Sequence, residues 1–239
     1  MDDDFSMWDL KYDFEPPVGS IRVCQDFSGE GNGIAGLQWL GGVVLCRYMD
    51  SREVFPEDWW AGKRVLELGA GCGLTSIYAA RRGSHVVLTD MDIEKSDATL
   101  EANSAISPLG SIEVRKVVWG EPVEELGAPF EVLLVGDCLY EEQCIEPLLE
   151  TMWKLSTVET EILLCGVVGN VAMRKFWELV GSYFDTSLVP FEEVDTLRPQ
   201  TADGEEPPKL TAGEKATPGA RALLRLTRRP RAVIGKEPS

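Results

Sequence analysis

Short runs rich in apolar residues alternate along the chain with longer segments in which apolar residues recur at helical spacing. The runs at 64–68, 85–90, 130–137 and 160–168 are typical of strands that are buried on both faces of a sheet. Amphipathic helices are predicted at 74–83, 93–105, 144–156 and 170–184, with Asn170 as a helix N-cap. This alternation predicts an α/β fold, a parallel sheet with helices on both faces.

Two further strands, at 186–194 and 221–229, have no helical pattern between them. We therefore expect an antiparallel strand at that edge of the sheet. The connection at about 198–220 is rich in Pro, Gly, Thr and charged residues, which predicts a mobile insertion. The chain thus divides into an N-terminal extension (1–58), a main domain (59–232) and a tail (233–239).

A glycine-rich turn joins the first buried strand to the helix that follows it, in the stretch VLELGAGCGL. Gly69, Gly71 and Gly73 allow a tight turn whose backbone N–H groups can approach a ligand. A dinucleotide-binding turn has the pattern GxGxxG, which would require glycine where this chain has Leu74. The carboxylate of Glu67 would also repel a pyrophosphate, whereas it suits a ligand with a cationic amino-acid end.

Asp90 ends the next strand, about twenty residues further on, where a carboxylate can accept hydrogen bonds from ribose hydroxyls. Strand, glycine turn, helix and second acid together point to S-adenosylmethionine as the ligand. The competing interpretation is an ordinary tight turn with a solvated aspartate.

Composition narrows the possible partners. The 239 residues carry a formal net charge of −17, which disfavours nucleic acid and favours a basic protein. With one histidine and no CxxC pair among six cysteines, a metal site is not expected. The acidic start is unlike a signal peptide, and no apolar run reaches membrane-spanning length. We expect a cytoplasmic protein, with the nucleus as a second location, that acts as a monomer.

The sequence resembles the seven-β-strand protein methyltransferases of methyltransferase family 16, most of which act on protein lysine. VLELGAGCGL is similar to the first motif of this family, LTDMD to its ribose-binding strand end, and VVWG to its aromatic segment near adenine. GDCLY is similar to a D-x-x-Y signature, and GLQWLGGVVLCRYM to a tryptophan-bearing helix ahead of the first motif. The resemblance covers roughly 36–181 and implies a Rossmann-like class I methyltransferase sheet of seven strands.

The resemblance also implies roles for individual residues. S-adenosylmethionine would be the cofactor, and S-adenosylhomocysteine the product. The methionine end would lie against Glu67 and the glycine turn, the ribose against Asp90, and adenine against Trp119. The helix of Trp39 would contact the cofactor, although Gly41 and Gly42 disfavour a helix there. Either that helix begins later, or the glycines permit close packing. The implied cofactor-binding residues are Trp39, Glu67, Gly69, Ala70, Gly71, Gly73, Asp90, Met91, Trp119 and Gly136.

The D-x-x-Y residues, Asp137 and Tyr140, are the candidate catalytic residues, and they suit methylation of an amine. A carboxylate can attract the substrate ammonium and then accept a hydrogen bond from its nitrogen. An aromatic ring offers a wall that also favours cations. A simpler alternative for Asp137 is that its carboxylate caps the helix that follows.

Other functions remain open at this point. A base-modifying amino-methyltransferase would have two prolines in this motif, where the chain has Cys138 and Leu139. Arginine methyltransferases often show paired acids, which Asp137, Glu141 and Glu142 could supply, and histidine is a further possible target. A protein that binds the cofactor without catalysis is the last alternative.

Overall fold

The computed structural model describes residues 9–25, 36–105, 109–189, 200–201 and 221–230. The strands are β1 (Leu10–Asp13), β2 (Ser20–Val23), β3 (Arg64–Leu68), β4 (His85–Asp90), β5 (Ser111–Lys116), β6 (Val132–Gly136), β7 (Glu161–Val167), β8 (Phe184–Val189), β9 (Gln200–Thr201) and β10 (Arg221–Arg228). The helices are α1 (Leu40–Met49), α2 (Leu74–Arg81), α3 (Asp97–Ala102), α4 (Ile145–Leu155) and α5 (Val171–Leu179).

Seven strands form one mixed sheet in the order β5-β4-β3-β6-β7-β10-β8. Neighbours from β5 to β7 pair in parallel, whereas β10 pairs antiparallel with both β7 and β8. The expected antiparallel strand is therefore present, but it lies between β7 and the edge strand β8. The carboxyl ends of β3, β4, β6 and β7 meet at one edge of the sheet, where open α/β sheets bind ligands.

Both faces of the sheet are covered, as the apolar runs predict. Val65 and Val132 belong to one buried cluster together with residues of α1 and α2. Their chain neighbours Leu66 and Leu133 belong to a second cluster together with residues of α4 and α5. Because alternate residues of a strand point to opposite faces, a continuously apolar strand serves both clusters.

A second, three-stranded sheet in the order β2-β1-β9 was not expected from the sequence. It is tied to α2 by the buried guanidinium of Arg81, which donates to the carbonyls of Val18 (3.0 Å) and Ser20 (2.5 Å). The same side chain donates to Oδ1 of Asn103, close to the end of α3. Tyr12, Val18 and Ile21 of the extension also belong to the buried cluster that contains Val65 of β3. The extension thus contributes to the core of the main sheet, and the domain boundaries stay predictions.

The sequence predicts the bounds of individual elements well where the local pattern of residues is strong. β3 and β4 have the predicted bounds, and Asn170 caps α5 by accepting from the N–H of Met173 (2.6 Å). The predicted helix at 93–105 is shorter, a 3₁₀ turn at 93–96 that continues as α3. Of the predicted insertion, only β9 is described, and it pairs with β1; the rest of the insertion and the tail lie outside the described residues. No helix in the described part of the chain has the length and hydropathy needed to cross a membrane.

Candidate functional site

A cavity of 430 Å³ opens at the carboxyl edge of the main sheet. Nine of the predicted site residues line it: Trp39, Gly69, Gly71, Asp90, Met91, Trp119, Gly136, Asp137 and Tyr140. Asp92, Cys138, Glu141, Gln143, Cys144 and Pro147 lie in its wall as well, together with Val117 and Val118. Residues from β3, β4, β6, the segment after β5 and the start of α1 therefore meet around one space.

The glycine turn after β3 depends on glycine for both conformation and space. Gly69, Gly71 and Gly73 all have positive φ, at 66°, 51° and 85°. A Cβ on Gly69 would lie 2.6 Å from Sγ of Cys138 and 3.0 Å from Cζ2 of Trp119. Gly69 therefore lets the turn lie directly against the wall that Trp119 forms.

Asp90 braces this turn from the end of β4. Its carboxylate accepts the N–H of Gly71 (2.9 Å) and, through its other oxygen, the N–H of Asp92 (2.9 Å). Burial raises the pKa of Asp90, and the two backbone donors oppose that shift. The side chain that the sequence assigns to ribose thus also holds the glycine turn in place.

Glu67 lies beneath the turn and does not line the cavity. It is 3% exposed and accepts a 2.5 Å hydrogen bond from Oγ of Ser76 in α2. Burial raises its pKa to about 7, although the hydrogen bond from Ser76 lowers it. Ala70 and Gly73 also lie outside the lining, so direct contact of these three residues with a cofactor stays a prediction.

Trp119 and Tyr140 form the aromatic part of the wall, with ring centroids 6.4 Å apart. Tyr140 is 46% exposed, and burial of the remainder raises the pKa of its hydroxyl to about 12. At neutral pH the hydroxyl therefore keeps its proton and can donate a hydrogen bond as well as accept one. Met91 is a further exposed apolar residue at the cavity.

Trp39 is the N-cap residue of α1, so the helix begins at Leu40 and both glycines lie inside it. Their role is close packing, because a Cβ on Gly41 would lie 2.7 Å from Cγ of Asp137. Gly42 and Gly136 approach each other in the same way, since a Cβ on Gly136 would lie 3.1 Å from N of Gly42. The first turn of α1 is thereby pressed onto the end of β6.

Asp137 adopts a left-handed backbone conformation, with φ of 54°, directly after β6. Its Oδ2 accepts the N–H of Gly41 (2.7 Å), so it caps α1, not the helix that follows it in sequence. The guanidinium of Arg221, at the start of β10, donates to the same carboxylate from Nε and Nη2 at 2.9–3.2 Å. Arg221 was not predicted as a site residue, because its local signal is a basic residue at the start of an apolar strand.

A glycine turn bonded to an acid on the next strand, within this strand order, defines a Rossmann-like methyltransferase. A family model described as lysine methyltransferase matches residues 21–182. The chain belongs to this family.

Several curated proteins are similar to the chain. Protein N-lysine methyltransferase METTL21A of Xenopus tropicalis is 29% identical over 73% of the chain and 79% of its own length. EEF1A lysine methyltransferase 3 of Mus musculus is 30% identical over 72% of the chain and 73% of its own length. The family and these relatives confirm the resemblance that the motifs indicate.

Solved structures share the fold at low sequence identity. A putative rRNA methylase from Clostridium thermocellum has a TM-score of 0.53 at 12% identity, over 79% of this chain and 97% of its own. An O-methyltransferase from Bacillus cereus in complex with SAH has a TM-score of 0.52 at 15% identity, over 81% of this chain and 82% of its own. These likenesses confirm the class I methyltransferase fold.

Proposed function

We propose that the chain transfers methyl groups from S-adenosylmethionine to the side-chain amine of a lysine in a protein. The observation that carries this proposal is the single cavity in which the glycine turn, Asp90 and Trp119 lie on the same walls as Asp137 and Tyr140. Its volume of 430 Å³ is within the range of small-molecule sites. The names of the relatives, which describe lysine methyltransferases, support the same substrate class.

The residues present fit a nucleoside with a charged amino-acid end. Gly71 carries no side chain at the wall, Asp90 offers a carboxylate, and Trp119 offers an aromatic face beside the turn. When bound, S-adenosylmethionine supplies a sulfonium methyl group, which a neutral amine takes by forming an N–C bond as the C–S bond breaks. The chain must therefore bind a lysine ammonium, let its proton leave to water, and hold the amine in line.

Attraction of the ammonium is assigned to acids at the cavity. Glu141 and Asp92 line it, and within the described residues neither carboxylate forms an ion pair with a basic side chain. Asp137 already shares its charge with Arg221, so we assign it the orientation of the amine. Its Oδ1 is the less engaged oxygen, since among the described residues it accepts a single contact, from Arg221 at 3.2 Å. This distribution supports a basic protein segment as substrate.

Tyr140 is proposed to complete the site. Its half-exposed ring lies at the cavity, so it can pack against the aliphatic part of the lysine side chain. Its hydroxyl stays protonated at neutral pH and can hydrogen-bond the lysine nitrogen. Much of the rate enhancement should come from alignment of the reacting atoms and not from strong acid–base chemistry.

Arginine as the target receives less support from the geometry. Only Glu141 of the adjacent acids lines the cavity, and Asp137 already binds a guanidinium of its own chain. The monomeric state and the cytoplasmic and nuclear locations stay predictions.

The experiment is transfer of labelled methyl groups into a protein extract, followed by mass spectrometry of the labelled residues. Wild-type protein should label lysine, and Tyr140→Phe should lower kcat by roughly tenfold or more while S-adenosylhomocysteine still binds. Tyr183→Phe, a buried tyrosine outside the cavity lining, is the matched control. Label on arginine or histidine, or binding of the cofactor without transfer to any protein, would overturn the proposal.

A further inference from the structure

The buried ion pair of Asp137 and Arg221 connects three elements at the cavity: the end of β6, the start of β10 and the start of α1. Their side chains are 4% and 9% exposed. Nε of Arg221 contacts both carboxylate oxygens (3.1 and 3.2 Å), and Nη2 contacts Oδ2 at 2.9 Å. Such a forked, charge-assisted contact fixes the orientation of both partners. The carboxylate that lines the cavity is thus held from the start of β10, 84 residues away in the chain.

The same carboxylate caps the first turn of α1. Trp39 is the N-cap residue, yet no side-chain hydrogen bond from it caps the helix. Asp137 takes over this task by accepting the N–H of Gly41 at 2.7 Å. A carboxylate is favoured there because the first N–H groups of a helix carry partial positive charge. The absence of a side chain on Gly41 is what permits this approach.

Trp39, two residues before Gly41, is 42% exposed and lines the cavity. The helix start that carries Trp39 is thus bonded to the carboxylate that Arg221 contacts. We infer that Arg221 is a positioning residue of methyl transfer, which holds Asp137 and, through it, the Trp39-bearing start of α1 at the cavity. The kinetic consequences of this inference rest on the proposed function. Its structural consequence, the protection of the Gly41 amide by Asp137, can be measured without any reaction.

A second ion pair on β10, between Arg225 and Glu161, serves as a control. It helps to distinguish an effect of Arg221 on the cavity from a general loss of stability. Arg225 lies four residues after Arg221, on the same face of β10, and forks onto Glu161 with contacts of 2.6 and 2.5 Å. Glu161 begins β7 and so lies at the end of the sheet opposite the cavity. Arg225→Met therefore removes a forked ion pair from the same strand without contacting the cavity wall. The Arg225 pair is more exposed than the Arg221 pair (42% and 20% against 9% and 4%), and Arg225 also interacts with Tyr48 of α1, so a general effect on that helix would appear in this variant too.

The test compares Arg221→Met, Arg221→Lys and Arg225→Met in the full-length protein. Hydrogen exchange of the Gly41 amide should accelerate by roughly tenfold in Arg221→Met and remain within about twofold of wild type in Arg225→Met. With S-adenosylmethionine and a methyl-accepting protein, kcat should fall by roughly tenfold in Arg221→Met, with a smaller change in KM for the protein substrate. Arg221→Lys, which keeps the charge but not the fork, should recover part of both losses.

Two results would overturn the inference: unchanged Gly41 exchange and kcat in Arg221→Met, or an equal loss of kcat in Arg225→Met. Thermal unfolding of all three variants shows whether each remains folded at the assay temperature. A wild-type chain that methylates no protein would refute the proposed function, and Gly41 exchange alone would then decide the inference.

Discussion

Glu67 should make the folded protein less stable as the pH rises through neutrality. Burial raises the pKa of this carboxyl from 4.5 to about 7, while in the unfolded chain it stays at roughly 4.3. Between these values the folded state holds a proton that the unfolded state has released. The stabilisation is therefore complete below about pH 4 and is lost as the pH rises through about 7.

The magnitude follows from the size of the pKa shift. A rise from 4.5 to about 7 corresponds to about 3 kcal/mol of folding free energy. Relaxation around a buried charge reduces this, so we expect about 2 kcal/mol. Glu67→Gln keeps the shape of the side chain and an acceptor for Oγ of Ser76, but it has no charge. The variant should thus be more stable than wild type by about 2 kcal/mol at pH 8.5, and should differ little from it at pH 4.5.

Urea unfolding, followed by tryptophan fluorescence at several pH values, measures this difference. Glu142→Gln is the matched control, because Glu142 is exposed and lies outside the cavity lining. It removes one negative charge from the same acidic chain and so corrects for general repulsion. If the free-energy difference between Glu67→Gln and wild type is the same at pH 4.5 and pH 8.5, the reasoning about burial is refuted.

Two further predictions concern the walls of the cavity. Glu141→Gln should raise KM for the protein substrate by roughly fivefold with a smaller change in kcat, whereas Glu142→Gln should change neither parameter; equal effects in steady-state kinetics would remove Glu141 from substrate capture. Gly41→Ala should lower the free energy of unfolding in urea by about 1–3 kcal/mol despite the better helix propensity of alanine, because its Cβ would lie 2.7 Å from Cγ of Asp137. A neutral or stabilising Gly41→Ala would show that α1 can shift away from Asp137 at little cost.

Much of the main sheet could be predicted from the sequence because its strands are buried on both faces. Such strands appear as continuous apolar runs, and β3 and β4 have the predicted bounds. The N-cap of α5 was equally predictable from the sequence, because the side chain of Asn170 accepts the N–H of Met173, only three residues further on. Predictions of this kind depend only on neighbours along the chain.

The three-stranded sheet and the start of α1 depend instead on distant partners. β1 and β2 have only four residues each and are tied to α2 by Arg81, whose burial no local pattern predicts. Likewise Trp39 supplies no side-chain cap for α1, because its cap comes from Asp137. Nine of the predicted site residues line one cavity, but the partner of Asp137 lies 84 residues away and has no local signal in the sequence.

The sequence gives the net charge of the protein, and the structure shows which acids at the site already have partners. The net charge of −17 indicates a basic partner, and the D-x-x-Y signature draws attention to Asp137 as the acid that would attract it. Yet Asp137 is paired with Arg221 and Asp90 is held by backbone N–H groups, while Glu67 is buried beneath the turn. We therefore expect the attraction of a substrate cation to come from cavity acids that form no ion pair within the described part of the chain, of which Glu141 adjoins Tyr140. Substitutions at Glu141 and at Arg221 should therefore affect different kinetic parameters, KM for the first and kcat for the second.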